Sequence, residues 1–264
     1  MSSYPSGLRG WPAKPLNSVG SNPTLDSMND SLGDRMKGYE NINRHHLMSR
    51  MPVVIRVDGR AFHTFTRKFV KPFDAMLMGA MDSAACALAE DAQNFQIGYV
   101  QSDEASFVLN NIADFDTQPW FDNNLQKLVS ISASIFTAHF NEYLENSENA
   151  MFDARAFTLP QDKVANYLLW RSRDWARNSL NMFARSIFSH KELEGKSTVD
   201  VHDMLHEKGI NWFKSTNNAE RNGTLLIRTT RGIVQETPDH QLIHREFQYM
   251  YDDVIKLQQT KKET

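Results

Sequence analysis

Across 264 residues the chain has one cysteine, Cys86. That excludes an intramolecular disulfide and any cluster of thiolate metal ligands, and makes a cytoplasmic location the expectation. No apolar run approaches the ~18 residues a membrane-spanning helix needs, so no membrane role is expected. The opening stretch MSSYPSGLRGWPAKP has no apolar segment of the kind a secretory signal carries. An excess of one charge is also missing: 29 Lys and Arg stand against 32 Asp and Glu, a net charge of −3. A protein that packages nucleic acid by overall charge is disfavoured, although local basic patches are not. Neither glycine-rich phosphate loop occurs, G-x-x-x-x-G-K-[ST] or G-x-G-x-x-G. His202 and His206 have the i, i+4 spacing of a zinc site, as do His240 and His244, but there is no H-E-x-x-H motif and no evident third ligand.

What is present is an alternation of β-branched runs with amphipathic helices. Residues 1–25, rich in Ser, Pro, Gly and Asn, are expected to form a flexible extension. The spacing of Leu32, Met36 and Tyr39 predicts a helix from Leu25 to about Asn43. Val53–Val57 reads as a strand. Pro72–Ala92 reads as a helix with Leu77, Met81, Ala84 and Leu88 on one face and Cys86 as a small buried thiol. Phe95–Tyr99 and Ala105–Leu109 read as strands joined by a hairpin turn at Gln101-Ser102-Asp103-Glu104. Pro119–Leu144 reads as a long helix and Arg155–Leu159 as a fourth strand. The order β-α-β-β-α-β predicts an α+β fold of the ferredoxin-like, palm type, with an antiparallel sheet. Residues 161–208 are expected to add two or three helices, with Tyr167, Leu168 and Trp170 on an apolar face. A hairpin of Thr224–Ile227 with Gly232–Gln235 and a polar end at Lys256–Thr264 complete the reading.

In that topology strands one and two run parallel, with strand three between them. The end of strand one and the turn between strands two and three then share one edge of the sheet. Asp58 lies at the first place and Asp103 at the second. Neighbouring strands are ~4.8 Å apart, so the two carboxylates can share a metal ion. Two Asp side chains and a backbone carbonyl suit Mg²⁺, and two such ions ~4 Å apart can clamp an in-line displacement at phosphorus. Gly59 permits close backbone approach. Asp-Gly alone, or Ser-Asp-Glu alone, is an ordinary turn; it is their joint placement that points to metal. Glu104 either supports the metal ligands from behind or is a solvated group on the opposite side. Arg60, Arg67, Lys68, Lys71 and Lys127 either bind triphosphate oxygens or form a solvated basic face. Phe62 and His63 are placed to touch a base, or Phe62 belongs to the core.

The strings VIRVDGRAFHTF, Lys71-Pro72-Phe73-Asp74 and GYVQSDEASFVL resemble the tRNA(His) guanylyltransferase superfamily of reverse, 3′→5′ nucleotide polymerases. The match continues through Lys127, Phe152-Asp153-Ala154-Arg155, Tyr167-Leu168-Leu169-Trp170-Arg171 and Gly223–Ile227. The resemblance implies a palm-like catalytic core over residues 26–160 and a C-terminal part, 161–264, packed on it. It implies that Asp58, the Gly59 carbonyl and Asp103 hold two Mg²⁺ ions, with Asp58 and Asp103 catalytic. It assigns nucleotide contacts to Arg60, Ala61, Phe62, His63, Lys71, Ser102, Lys127 and Asn178. ATP and GTP would be substrates, tRNA the partner, and a homotetramer the assembly. One departure is informative. Where members dedicated to histidine tRNA carry His-Ile-Asn-Asn-Leu-Tyr-Asn, this chain has Ala176-Arg177-Asn178-Ser179-Leu180-Asn181-Met182. That resembles the guanylyltransferase-like proteins of bacteria, archaea and phages.

The expected activity is therefore Mg²⁺-dependent, template-directed 3′→5′ addition of nucleotides to the 5′ end of truncated tRNA, after activation with ATP or GTP. The competing readings are G addition to histidine tRNA, a nucleotidyl cyclase on the same palm, and a non-catalytic RNA-binding module. The last expects exposed aromatics on the central strands, whereas the third strand offers Phe107 among apolar neighbours.

Overall fold

The computed structural model describes residues 31–112, 116–145 and 148–237. The expectations for residues 1–25 and 256–264 fall outside these, as does the first part of the helix predicted from Leu25. The chain divides into two units at Asn43. The first contributes helix α1, Ser31–Ile42, none of whose residues is buried. The second carries the rest: β1 (Val53–Gly59), α2 (Phe62–Phe65), α3 (Ala75–Asp91), β2 (Phe95–Gln101), β3 (Glu104–Leu109), α4 (Leu125–Leu144), β4 (Phe152–Thr158), α5 (Val164–Arg185), α6 (His190–Leu193), α7 (Thr198–Glu207), α8 (Trp212–Ser215), α9 (Asn218–Asn222), β5 (Thr224–Thr229) and β6 (Gly232–Glu236).

Six strands form one antiparallel sheet in the order β4-β1-β3-β2-β5-β6. Its first four strands have the predicted ferredoxin-like arrangement, with β1 and β2 parallel across an intervening β3. Alternation along the strands sorts side chains to two cores. Val53, Ile55 and Val57 of β1 join Ala105, Phe107 and Leu109 of β3 in a cluster with α3 and α4. Val54 and Val108 point the other way, to Val164, Tyr167 and Leu168 of α5. On α3 the buried positions include Ala80, Ala84, Ala85 and Ala89. These small residues leave room for the large rings of α4, where Phe136 and Phe140 are fully buried. A third cluster joins the second half of α5, through Leu180 and Ala184, to Val201 and Leu205 of α7 and Trp212 of α8.

Several boundaries differ from the sequence expectation, each for a physical reason. Helix α3 starts at Ala75 rather than Pro72, because Asp74 is its N-cap and accepts from the amides of Met76 and Leu77. Helix α4 starts at Leu125 rather than Pro119, because Phe121, Asp122 and Asn123 all take left-handed backbone angles. Such a conformation costs about 1–2 kcal/mol per residue. It is held by the imidazole of His46 on the Asp122 carbonyl (2.7 Å) and by the amide of Leu47 on that of Asn123 (2.9 Å). Strand β4 begins at Phe152, three residues before its predicted start, because Val57, Asp58 and Gly59 of β1 pair with Ala154, Asp153 and Phe152 and extend the ladder. Trp170, expected on an apolar face, is 53% exposed and lies instead on the Arg171 guanidinium, 4.6 Å from its ring centroid. The hairpin of β5 and β6 continues the sheet beyond β2.

Candidate functional site

The register of β1 with β3 places Asp58 opposite Glu104, so the turn residues Ser102 and Asp103 lie just past the end of β1. The amide of Gly59 donates to the Asp103 carbonyl at 2.9 Å, which fixes the two chain segments against each other. A Cβ on Gly59 would stand 2.3 Å from the Phe62 ring, so the close return of the chain after β1 needs glycine there. Two neighbours have positive φ without being glycine, Ala61 (51°) and Ser102 (50°). For Ser102 this is what a two-residue hairpin loop requires of its first position.

Burial pushes the Asp103 carboxyl above the ordinary carboxylate range, and the nearby charge of Asp58 pushes it further. Asp58 is partly exposed, with the Arg155 guanidinium at 3.8 Å. Among the described residues no three His, Cys, Asp or Glu side chains gather to hold a metal. The donor set here is two carboxylates that repel each other and backbone oxygen beside them. It fits a hard cation such as Mg²⁺, which keeps several waters and takes phosphate oxygens to complete its shell.

Glu104 follows Asp103 but faces away from it, into the α5 side of the sheet. It receives a bidentate pair from Arg171, Nε at 2.7 Å and Nη2 at 2.8 Å, and Arg56 Nε lies 3.7 Å away. The residue is therefore not solvated: it stands opposite Asp58 in the β1–β3 ladder, close enough to feel that charge. It anchors α5 to the end of the sheet. Burial pushes its carboxyl up, and the two arginines oppose that shift. From this anchor α5 continues past the sheet. The fourteen helical steps from Arg171 to Arg185 span ~21 Å at 1.5 Å each.

A cavity of about 610 Å³ opens between that overhang, the start of α3 and the Ser102-Asp103 turn. His63, Arg67, Lys71, Ser102 and Asp103 line it, with Trp175, Met182 and Arg185 contributed by α5. Lys71 reaches the Thr66 hydroxyl at 3.4 Å. The structure thus gathers five of the proposed site residues, Asp58, Gly59, His63, Lys71 and Ser102, around Asp103 or its cavity. Arg60 and Ala61 follow Gly59 and are exposed.

Phe62 also lines the cavity, while its ring packs into the core among Phe65, Phe140 and Phe152. Two expected nucleotide contacts are placed differently. Lys127 sits in the first turn of α4, where Leu125 bonds to His45 ahead of β1; that is the opposite end of the sheet from Asp58. Its ammonium lies 5.9 Å from the Phe121 centroid. Asn178 is exposed, and its amide turns back to Asp174 at 3.4 Å. Conversely, Trp175, Met182, Arg185, Asp82 and Thr224 line the cavity and were not foreseen. Asp82 had a signal in the sequence, as the one charge in the run from Ala75 to Leu88.

Two stability effects follow from these buried charges. Replacing Arg171 by Met leaves the buried Glu104 carboxylate with only the more distant Arg56 to offset it, and is expected to cost about 3 kcal/mol in urea unfolding. The double variant E104L/R171M is expected to recover much of that loss. Asp82, half-buried in the cavity wall, is pushed up to about 6 from 3.8, by burial first and against the Thr224 hydrogen bond. The folded state therefore holds this proton to a higher pH than the unfolded chain does. The resulting advantage is complete below pH 4 and is lost as pH rises through 6. Asp82→Asn is expected to raise unfolding stability at pH 7.5 by roughly 1–3 kcal/mol and to flatten its pH dependence between 4 and 6. Equal stability of the two proteins at pH 7.5 would contradict this.

A family model described as tRNAHis guanylyltransferase matches residues 33–160. The tRNA(His) guanylyltransferase of Schizosaccharomyces pombe is 31% identical over 207 residues, covering 70% of this chain and 76% of that protein. A bacterial tRNA(His) guanylyltransferase-like protein, solved in complex with ATP, superimposes with a TM-score of 0.80 at 40% identity, over 85% of this chain and 99% of the other. A second such structure, in complex with GTP, gives a TM-score of 0.71 at 35% identity over the same shares of the two chains. These matches extend along most of the chain's length, and the chain belongs to the tRNA(His) guanylyltransferase family.

Proposed function

We propose that this protein adds nucleotides in the 3′→5′ direction to the 5′ end of tRNA, using Mg²⁺ held by Asp58, the Gly59 carbonyl and Asp103. One observation carries the reading: Asp58 and Asp103 meet at one end of the sheet, beside a cavity whose lip bears Arg67, Lys71 and Arg185. The relatives solved with ATP and with GTP support a nucleoside triphosphate as its occupant.

When bound, Mg²⁺ neutralises charge on the reacting phosphates and favours ionisation of an attacking hydroxyl. The chain's own groups bind and orient. Lys71, Arg67 and Arg185 attract the triphosphate, and Ser102 offers a hydroxyl beside Asp103. In the first step an oxygen of the tRNA 5′-monophosphate attacks the α-phosphorus of ATP or GTP and expels pyrophosphate. In the second, the 3′-hydroxyl of an incoming nucleotide attacks the activated 5′-phosphorus and expels the nucleoside monophosphate. A base in the opposite strand of the tRNA chooses that nucleotide, so phosphate contacts suffice to hold the RNA. The altered stretch Ala176–Met182 favours this templated repair over addition of a single G to histidine tRNA.

The test is a tRNA lacking its first 5′ nucleotide, carrying a labelled 5′-monophosphate, incubated with Mg²⁺ and all four triphosphates. Extension by the base that pairs with the template is expected, falling by about 10³-fold or more in Asp58→Ala and in Asp103→Ala. G addition regardless of template would replace this reading with the histidine-tRNA activity. Turnover of a triphosphate to a cyclic product without extension would replace it with a cyclase.

A further inference from the structure

Trp170 lies on the outer face of α5, apart from the cavity, and more than half of it is exposed. The Arg171 guanidinium sits 4.6 Å from its ring centroid, and the Tyr167 ring meets it at 63° with centroids 5.9 Å apart. Both supports are themselves fixed. Arg171 is held in its bidentate pair with Glu104, and the Tyr167 hydroxyl is hydrogen-bonded to that of Ser106 at 2.9 Å. A single exposed ring is ordinary; what sets this one apart is its company. Asn166, Arg173 and Arg177 are exposed on the same stripe of the helix, four, three and seven residues from it. Asp174 is shared by Arg171 at 3.4 Å and Arg177, which fixes Arg177 two turns beyond the indole. Strand β4 meets the same helix where Phe157 packs edge-on to Tyr167 at 5.7 Å, and two residues earlier Arg155 reaches Asp58 at 3.8 Å. The indole, the Arg171 guanidinium and the Glu104 carboxylate follow one another in contact, and Glu104 stands opposite Asp58. The ring therefore lies within about 20 Å of the metal-binding end of the sheet.

Resting on the reading above, we propose that Trp170 is a stacking platform for the unpaired 3′ tail of the tRNA, with Arg173 and Arg177 on the phosphates of that tail. Exposed rings set among cations are how proteins grip single-stranded RNA, because every base has a face to stack and no sequence need be read. A paired stem is gripped differently, through phosphates and 2′-hydroxyls, and offers no free base face to an indole along its length. In a tRNA the reacting 5′ end and the 3′ tail leave the same end of the acceptor stem. An enzyme that brings the first to Asp58 and Asp103 has the second within reach of Trp170. A loose tail would compete for the space in which the incoming nucleotide pairs, so holding it along α5 clears that space. Arg171 supports the ring rather than a phosphate, since its own charge is engaged by Glu104 and Asp174. With both supports fixed, the ring loses little freedom when a base stacks on it.

The test compares two tRNAs lacking the first 5′ nucleotide, one with its 3′ tail and one trimmed so that the template base ends its strand. Dissociation constants are measured with the full chain, and extension is followed with Mg²⁺ and all four triphosphates. Removing the tail is expected to weaken binding to the wild type about tenfold, as loss of one stacked base does. Trp170→Ala is expected to bind the tailed RNA about tenfold more weakly than the wild type does, and to respond little to trimming. Trp170→Phe, which keeps a stacking face, is expected to recover most of the loss. If trimming costs the wild type and Trp170→Ala the same factor, the ring does not hold the tail and the proposal is overturned. A ring that only supported the fold, or that docked another protein, would give that result. A wild type that extends both RNAs and binds them equally well removes the tail contact alone. A wild type that neither binds nor extends either RNA refutes the tRNA reading itself, and this inference falls with it.

Discussion

The Gly59 amide meets the Asp103 carbonyl at 2.9 Å, and the rest of the site is built outward from that bond and the strand register behind it. Because side chains alternate along a strand, a slip of one residue between β1 and β3 would send Glu104 to the α3 side and the apolar residues 105, 107 and 109 to the α5 side. Both cores oppose such a slip. Val53, Ile55 and Val57 are fully buried against one pair of helices while Val54 is fully buried against α5. The placement of the two carboxylates is thus specified by hydrophobic packing that lies well away from it. A pair of mutually repelling carboxylates can stand together because the backbone leaves them no alternative arrangement.

Around this end the fold holds charge in places that favour function over stability. Glu104 and Arg171 are almost wholly removed from water, with side chains 11% and 10% exposed. Such a pair contributes little net stability compared with apolar residues of the same volume, yet it admits only one docking of α5. What it supplies is direction: the helix is pinned at the sheet end and its second half is carried over the cavity, where the cluster with α7 and α8 supports it. Asp82 is a second such group, tolerated because the Phe-rich core of α4 and the alanine seam of α3 provide ample burial elsewhere.

Much of this was legible in the sequence, and what was not has identifiable causes. The strands around Asp58 and Asp103 announce themselves by local β-branched runs, and the hairpin length fixes their turn, so the meeting of the two residues followed from topology alone. Glu104 was ambiguous because its fate depends on Arg171, 67 residues away. Lys127 rests on its charge and on resemblance, and Asn178 on resemblance, neither on any local constraint. One lies at the far end of the sheet and the other spends its amide on Asp174. The start of α4 was misplaced because a left-handed turn at Phe121-Asp122-Asn123 is held by the residues around His46, a contact that no local propensity records. Trp175, Met182 and Arg185 become cavity residues only because α5 overshoots the sheet, which its amphipathic pattern alone does not disclose.

The central claim is that the end of the sheet carrying Asp58 and Asp103 binds a metal-bound triphosphate. Crystals grown with Mn²⁺ in place of Mg²⁺ and with a non-hydrolysable GTP analogue test it most directly, through anomalous scattering from the metal. The account requires Mn²⁺ within about 2.0–2.3 Å of carboxylate oxygens from both Asp58 and Asp103, with the phosphates beside Lys71. Mn²⁺ and nucleotide bound together elsewhere on the protein, with this end of the sheet holding only water, would contradict it.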